Sequence, residues 1–180
     1  MKEEYIQTDY KISAIFYSIQ GEGYFCGEAG VFLRFYSCDL TCPFCDDSSH
    51  KDSYVSMSAQ EIIEKISTFP SRKLVITGGE PTLYRLNPLI NELKSIGFFV
   101  CVETNGLNLS NVKDADWITY CPKDLNNILT GGFDVIKFLI DTKSDVQKIL
   151  NFRTDKPKFL QPINHFESIN EANMRLCIEL

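Results

Sequence analysis

Three thiols fall within eight residues, Cys38-Asp39-Leu40-Thr41-Cys42-Pro43-Phe44-Cys45, spaced C-x3-C-x2-C. Cysteine thiolates are the usual ligands of iron–sulfur clusters, so three can hold three irons of a [4Fe–4S] cube. The fourth iron is then left without a protein ligand, and an open iron can chelate a small molecule through an amine and a carboxylate. Arg34 stands four residues upstream, and Asp46 and Asp47 follow directly. Other readings stay open on spacing alone. Zinc could take the three thiols with His50, since Cys3His sites exist, although structural zinc usually draws on two separated ligand pairs. Cys42-Pro43-Phe44-Cys45 could be a redox dithiol of the thioredoxin-like kind. Such a motif should open a helix, whereas the polar Asp-Asp-Ser-Ser-His-Lys-Asp that follows reads as a loop. Three cysteines packed with no ligand role are the plainest reading.

The elements that must position this loop can be read from pattern. Strands are expected at Lys11–Tyr17, Val31–Tyr36, Lys73–Ile76, Phe98–Val102, Trp117–Tyr120, Val135–Ile140 and Lys158–Leu160, from β-branched and aromatic runs bounded by turn residues. A helix is expected over Met57–Phe69, where Ser58 and Glu61 form a capping box and Pro70 ends the segment. Others are expected at Leu86–Ile96, closed by Gly97, at Ser144–Phe152, and through the tail from Glu167 to Leu180. Strands alternating with helices or long connections argue for βα units and a parallel sheet. Polar or glycine motifs follow nearly every strand: Thr77-Gly78-Gly79-Glu80-Pro81, Glu103-Thr104-Asn105-Gly106, Cys121-Pro122-Lys123 and Gln161-Pro162. That edge carries the active site in parallel α/β architectures.

At 180 residues, 44% hydrophobic and 23% charged, the chain reads as one globular domain, 1–180, with no linker or repeat. A net charge of −6 argues against a broad nucleic-acid-binding face. The apolar run Val135–Ile140 is interrupted by Lys137 and too short to cross a bilayer. No basic-then-apolar leader precedes Tyr5, so reduced thiols in the cytoplasm are expected.

The cysteine triad with an aromatic, Phe44, before its last thiol, followed by Thr77-Gly78-Gly79-Glu80-Pro81, resembles the radical S-adenosylmethionine (SAM) superfamily. Within it the chain is similar to the 7-carboxy-7-deazaguanine synthase family, of the queuosine-type 7-deazapurine pathway. That likeness rests on Ser18-Ile19-Gln20-Gly21-Glu22-Gly23, Arg34, Val102-Glu103-Thr104-Asn105-Gly106, Cys121-Pro122-Lys123 and Leu160-Gln161-Pro162. It implies an incomplete TIM-like βα barrel. It also implies a carbon–nitrogen lyase. A reduced cluster cleaves SAM to a 5′-deoxyadenosyl radical, which takes a hydrogen from 6-carboxy-5,6,7,8-tetrahydropterin. The ring then contracts to 7-carboxy-7-deazaguanine with loss of ammonia, assisted by Mg²⁺. The radical chemistry is the cofactor's, so no protein side chain is assigned as a general base.

Carried over residue by residue, Cys38, Cys42 and Cys45 match the cluster ligands. Phe44, Gly78, Gly79, Glu80, Thr104, Cys121, Pro122, Lys123, Gln161, Pro162, Ile163 and Asn164 match SAM-site positions. Ile19, Gln20, Gly21, Glu22, Arg34 and Thr77 match substrate positions, and a guanidinium such as Arg34 can bind a carboxylate bidentately. Three departures stand out. Asp47 occupies the place of a Mg²⁺-ligating threonine, as a harder ligand. Cys121 stands where serine is usual. Family members commonly run on past the equivalent of Leu180 with a histidine-containing tail that approaches the substrate, so closure here is expected to fall to another segment or to be lost. The resemblance further implies a homodimer and an electron donor such as flavodoxin or ferredoxin, with no nucleic-acid or membrane partner. Two other functions fit parts of the sequence: a glycyl-radical-enzyme activating protein, which shares the cysteine spacing, and a zinc-binding interaction module. Cys26, Cys101 and Cys177 read as incidental thiols, Trp117 as core, and His50 and His165 as loop residues.

Overall fold

The computed structural model describes residues 9–45, 52–164 and 168–180. Asp46, Asp47, His50 and His165 lie outside the described residues. The strands are β1 (Tyr10–Ile19), β2 (Ala29–Phe35), β3 (Val55–Met57), β4 (Lys73–Gly78), β5 (Phe99–Thr104), β6 (Trp117–Tyr120), β7 (Val135–Ile140) and β8 (Lys158–Pro162). The helices are α1 (Ala59–Ser67), α2 (Asn87–Ser95), α3 (Val146–Asn151) and α4 (Glu171–Glu179). All the strands join one open sheet in the order β3-β1-β2-β4-β5-β6-β7-β8. From β2 through β8 neighbouring strands in the sheet are parallel, as expected of a partial βα barrel. The other edge differs from a uniform βα repeat: β1 is antiparallel to β2, and β3 is antiparallel to β1. Strand β3 carries no run long enough to stand out in the sequence.

Helix α1 begins at the expected capping box: the Ser58 side chain accepts from the Glu61 amide, and Glu61 reaches back to the Ser58 N–H at 2.8 Å. Helix α2 ends in a Schellman motif. Gly97, at φ +89°, and Phe98 donate to the carbonyls of Lys94 and Leu93. Ile62 and Ile66 of α1 and Leu89, Ile90 and Leu93 of α2 pack against one face of the sheet, among Leu33, Phe35, Ile76, Val102 and Phe138. Burying a side chain of this size stabilises by about 1.5–3 kcal/mol, so this face carries most of the fold's hydrophobic stabilisation.

The opposite face is layered, as barrel interiors are. Its lowest row is apolar: Phe16, Phe32, Val75, Cys101 and Trp117 are register partners across β1, β2, β4, β5 and β6. Phe16 and Phe32 stack with ring centroids 5.1 Å apart. The turn from Gln20 to Glu28 does not extend away from the hairpin; it folds back over this row. Phe25 packs on Trp117 at 5.2 Å, and the Lys73 ammonium sits 3.6 Å from the Phe25 ring while pairing with Glu28. The turn is thereby the floor beneath everything above it.

Burial in this floor pushes the Cys101 thiol up to about 12, whereas Cys26, on the turn, is exposed. The thiolate is the reactive form. At pH 8 the native protein should therefore alkylate at Cys26 with iodoacetamide while Cys101 stays unmodified until denaturant is added, as read by peptide mass mapping.

Candidate active site

Two residues above the floor along each strand, the inner face turns polar. Arg34 pairs with Thr77, and Glu103 pairs with Thr119. Ile76 pairs with Val102, so Thr77 and Glu103 are level. Arg34, Thr77, Glu103 and Thr119 thus form a row across β2, β4, β5 and β6. Gln20 reaches up from the turn and donates to Glu103 Oε1 at 2.5 Å. Lys137 of β7, only 4% exposed, pairs with Glu22 of the turn and with Glu103 Oε2 at 3.2 Å. Burial alone would lower the Lys137 pKa; the Glu103 and Glu22 carboxylates outweigh it and raise the pKa. Arg34 lies over the Phe16 ring, 5.4 Å from its centroid.

Above this row lie the strand ends. The cysteine loop leaves β2 through Ser37, which adopts φ +77°. It is clamped at once by the loop after β4: Gly79 N–H donates to Phe35 O at 2.9 Å and Glu80 N–H to Ser37 O at 2.8 Å. Only glycine permits this approach, since a Cβ on Gly79 would lie 1.8 Å from Ser37 O. Glu80 is 1% exposed. Its carboxylate accepts from the Thr82 amide (2.8 Å), Thr82 Oγ1 (2.5 Å), Thr104 Oγ1 (2.6 Å) and the Asn105 amide (2.7 Å). Burial pushes the Glu80 carboxyl up, opposed by these donors. Asn105 Nδ2 then reaches Asp39 Oδ1 at 2.9 Å, tying the end of β5 to the cysteine loop.

Cys38, Cys42 and Cys45 are half-buried on one loop and are not joined in disulfides. Leu40 N–H donates to Cys38 Sγ at 3.4 Å, and Cys45 N–H to Cys42 O at 3.2 Å. Burial pushes the Cys42 thiol up, and Lys123 pulls the other way. No three His, Cys, Asp or Glu side chains among the described residues meet at a single-ion site. Three soft thiol donors on one clamped loop fit a cluster that takes three thiolates. Toward β8, Gln161 Oε1 is buried with no hydrogen-bond partner among the described residues. An orphaned buried acceptor of this kind at the rim fits a polar cofactor beside the cluster loop.

Most expected residues therefore converge. Gln20, Glu22, Arg34 and Thr77 line the polar layer, and Phe44, Gly78, Gly79, Thr104, Cys121, Pro122, Lys123, Gln161 and Pro162 lie on the loops or strand ends above it. Lys123 Nζ donates to Cys121 Sγ at 3.0 Å. Ile163 is fixed by its N–H to Ile140 O, and Asn164 Oδ1 caps the Asn170 N–H. Two expectations change. Ile19 is 64% exposed and pairs with Ala29 beside the turn, on the face of β1 opposite Phe16. Glu80 turns its carboxylate inward, so it builds the site's frame rather than facing a cofactor amine. Glu103, Thr119 and Lys137 were not singled out as site residues. The available signal for Lys137 was a lone charge at an inward position of an otherwise apolar strand.

Parallel strands, a cysteine loop at their C-terminal edge and a Gly-Gly junction beneath it define a radical SAM core. A model of the radical SAM superfamily matches residues 33–175. The 7-carboxy-7-deazaguanine synthase of Bacteroides thetaiotaomicron is 43% identical over 63% of this chain and 60% of its own length. That of Buchnera aphidicola subsp. Schizaphis graminum is 31% identical over 94% of this chain and 90% of the relative. The crystal structure of QueE from Escherichia coli superposes with a TM-score of 0.76 at 27% identity, covering 95% of this chain and 88% of that one. The chain belongs to the radical SAM superfamily and, within it, to the 7-carboxy-7-deazaguanine synthase family. It spans less than two thirds of the Bacteroides relative's length. Membership of the superfamily implies a [4Fe–4S] cluster and SAM.

Two substitutions test the clamp. Gly79→Ala should lower the iron and sulfide content of anaerobically reconstituted protein well below one cluster per chain. Glu80→Gln sets an amide N–H₂ against N–H and O–H donors, and should destabilise the fold by about 1–3 kcal/mol in denaturant titration.

Proposed function

We propose that this chain is a carbon–nitrogen lyase that converts 6-carboxy-5,6,7,8-tetrahydropterin to 7-carboxy-7-deazaguanine and ammonia. The observation that carries the reading is the polarity of the inner layer. Arg34 stands at one end of the row, on β2, and Glu103, joined by Glu22 through Lys137, stands two strands along on β5. Two strand spacings separate β2 from β5, about 10 Å. A bicyclic heterocycle with a carboxylate at one end and an N–H edge at the other matches that span and that charge order. Arg34 binds the carboxylate as a fork. Thr77 and Gln20 fix the plane of the ring between the two ends. The aromatic floor beneath excludes water from the lower side.

Cys38, Cys42 and Cys45 would hold the cluster. Phe44, Gly78, Gly79, Thr104, Cys121, Pro122, Lys123, Gln161, Pro162, Ile163 and Asn164 would surround SAM. When bound, cluster and SAM would supply radical hydrogen-abstraction chemistry. The chain's own part is to present the reacting carbon to that chemistry and to keep solvent out. We assign Mg²⁺ to Asp47, which follows the cluster loop and lies outside the described residues. The protein acts as a cytoplasmic homodimer, with 1–180 as a single domain, and takes its electron from a flavodoxin or ferredoxin. No helix among the described residues is long and apolar enough to cross a membrane.

Anaerobically reconstituted protein given SAM, reductant, Mg²⁺ and the pterin should yield 7-carboxy-7-deazaguanine by mass spectrometry. Absence of any deazapurine product, or zinc without iron and sulfide, sinks the reading. Arg34→Ala should raise KM for the pterin about ten- to a hundredfold, the loss expected for a charge-assisted hydrogen bond of about 1.5–3 kcal/mol.

A further inference from the structure

A buried lysine on a barrel strand calls for a reason. Lys137 shares its face of β7 with Val135 and Leu139, and its place in the sheet would accept an apolar side chain. Burying an ammonium costs several kcal/mol unless it is paired, and replacing a buried ion pair by apolar residues is often neutral or stabilising. The fold does not need the charge. What the charge does is local. Lys137 Nζ joins two carboxylates that come from separate elements, Glu22 on the turn and Glu103 on β5. Each stays partly open: the side chains are 32% and 18% exposed. An ionised carboxylate offers about four acceptor positions, so after Gln20 and Lys137 take one on each oxygen of Glu103, capacity remains.

We infer that Lys137 is a positioning residue of the substrate pocket, holding Glu22 and Glu103 side by side as paired acceptors for the N–H edge of the bound heterocycle. This rests on the proposed activity and adds to it the residue that sets the pocket's acidic end. Two neighbouring carboxylates repel each other, and an ammonium paired with both offsets that repulsion. The ionisable and charged groups around Lys137 are Glu22 from the turn, Glu103 from β5, and Cys121 and Lys123 from the segment after β6. Only the first two are acceptors poised toward the pocket. Removing the ammonium leaves Glu22 and Glu103 without their shared partner, so substrate binding that needs both side by side is weakened.

The test uses holoenzyme of wild type, Lys137→Met, Lys137→Arg, Glu22→Gln and the double variant Lys137→Met/Glu22→Gln. It reads KM for the pterin, kcat and iron content. Lys137→Met should raise KM tenfold or more, with kcat and iron content little changed. Lys137→Arg should bring KM back toward the wild-type value. A Lys137→Met variant with unchanged KM overturns the inference, and so does a Lys137→Arg variant whose KM stays as high as that of Lys137→Met. Should Lys137→Met fail to load a cluster, the double variant decides: its KM should exceed that of Glu22→Gln at least fivefold, and equality overturns the role. Wild-type protein that makes no deazapurine fails the activity itself, and the inference falls with it. Wild-type turnover with a Lys137→Met KM equal to it fails the positioning role alone.

Discussion

The site depends on one junction, where two backbones touch. Gly79 meets Ser37 at a distance that excludes any Cβ, and the amides of Gly79 and Glu80 close onto the carbonyls of Phe35 and Ser37. Close contact fixes the exit of β2, and with it the start of the cysteine loop. Behind the junction a single buried carboxylate gathers the other loops. Glu80 binds Thr82, Thr104 and the Asn105 amide, so the ends of β4 and β5 move as one body. Asn105 passes that order on to Asp39, next to the first thiol. A strained Ser37 and a buried acid are both unfavourable in isolation. They persist because each is over-determined by neighbours, the usual condition for strain at a functional site.

The same logic runs downward through the interior. An apolar floor of Phe16, Phe25, Phe32, Val75, Cys101 and Trp117 lowers the local dielectric beneath the polar row. In such surroundings an unpaired charge is costly and a paired one is held firmly. Glu103 is accordingly bound at both oxygens, and Lys137 is held charged despite its burial. The layers are separable in chemistry because strand pairing is in register. One residue up each strand changes the face, and two residues up change the layer from apolar to polar.

Much of this was legible in the sequence, and the limits have physical causes. The strands at Trp117–Tyr120 and Val135–Ile140 and the capping box at Ser58 follow from local pattern, which burial and hydrogen bonding then confirm. The cysteine loop was legible because ligand spacing is a local property. The antiparallel hairpin of β1 and β2 was not, since strand direction is set by where the connecting turn folds. That turn folds inward only because Phe25, Lys73 and Trp117 meet across distant segments. The framing role of Glu80 was not legible for the same reason: its carboxylate is enclosed only once Thr104 and Asn105 arrive from another strand. Ile19 was carried into the site by its neighbours in sequence, while alternation along β1 places it outside.

The thiol at Cys121 shows how such a frame absorbs a change of residue. It is buried at the end of β6, its N–H bound to Thr104 O at 2.8 Å, and Lys123 donates to its sulfur. A serine hydroxyl at this place would offer an acceptor of similar reach, so the hydrogen bond from Lys123 survives the exchange in kind. What changes is polarisability and bulk. Sulfur is larger and a weaker acceptor, and as a small hydrophobe it gains from burial where a hydroxyl would need a second partner. The position is thus held by its backbone bond to β5 and by its lysine neighbour, and the side chain needs only to accept. A site framed in this way, by main-chain contacts and buried pairs, leaves its rim residues free to vary while the cluster loop stays in place.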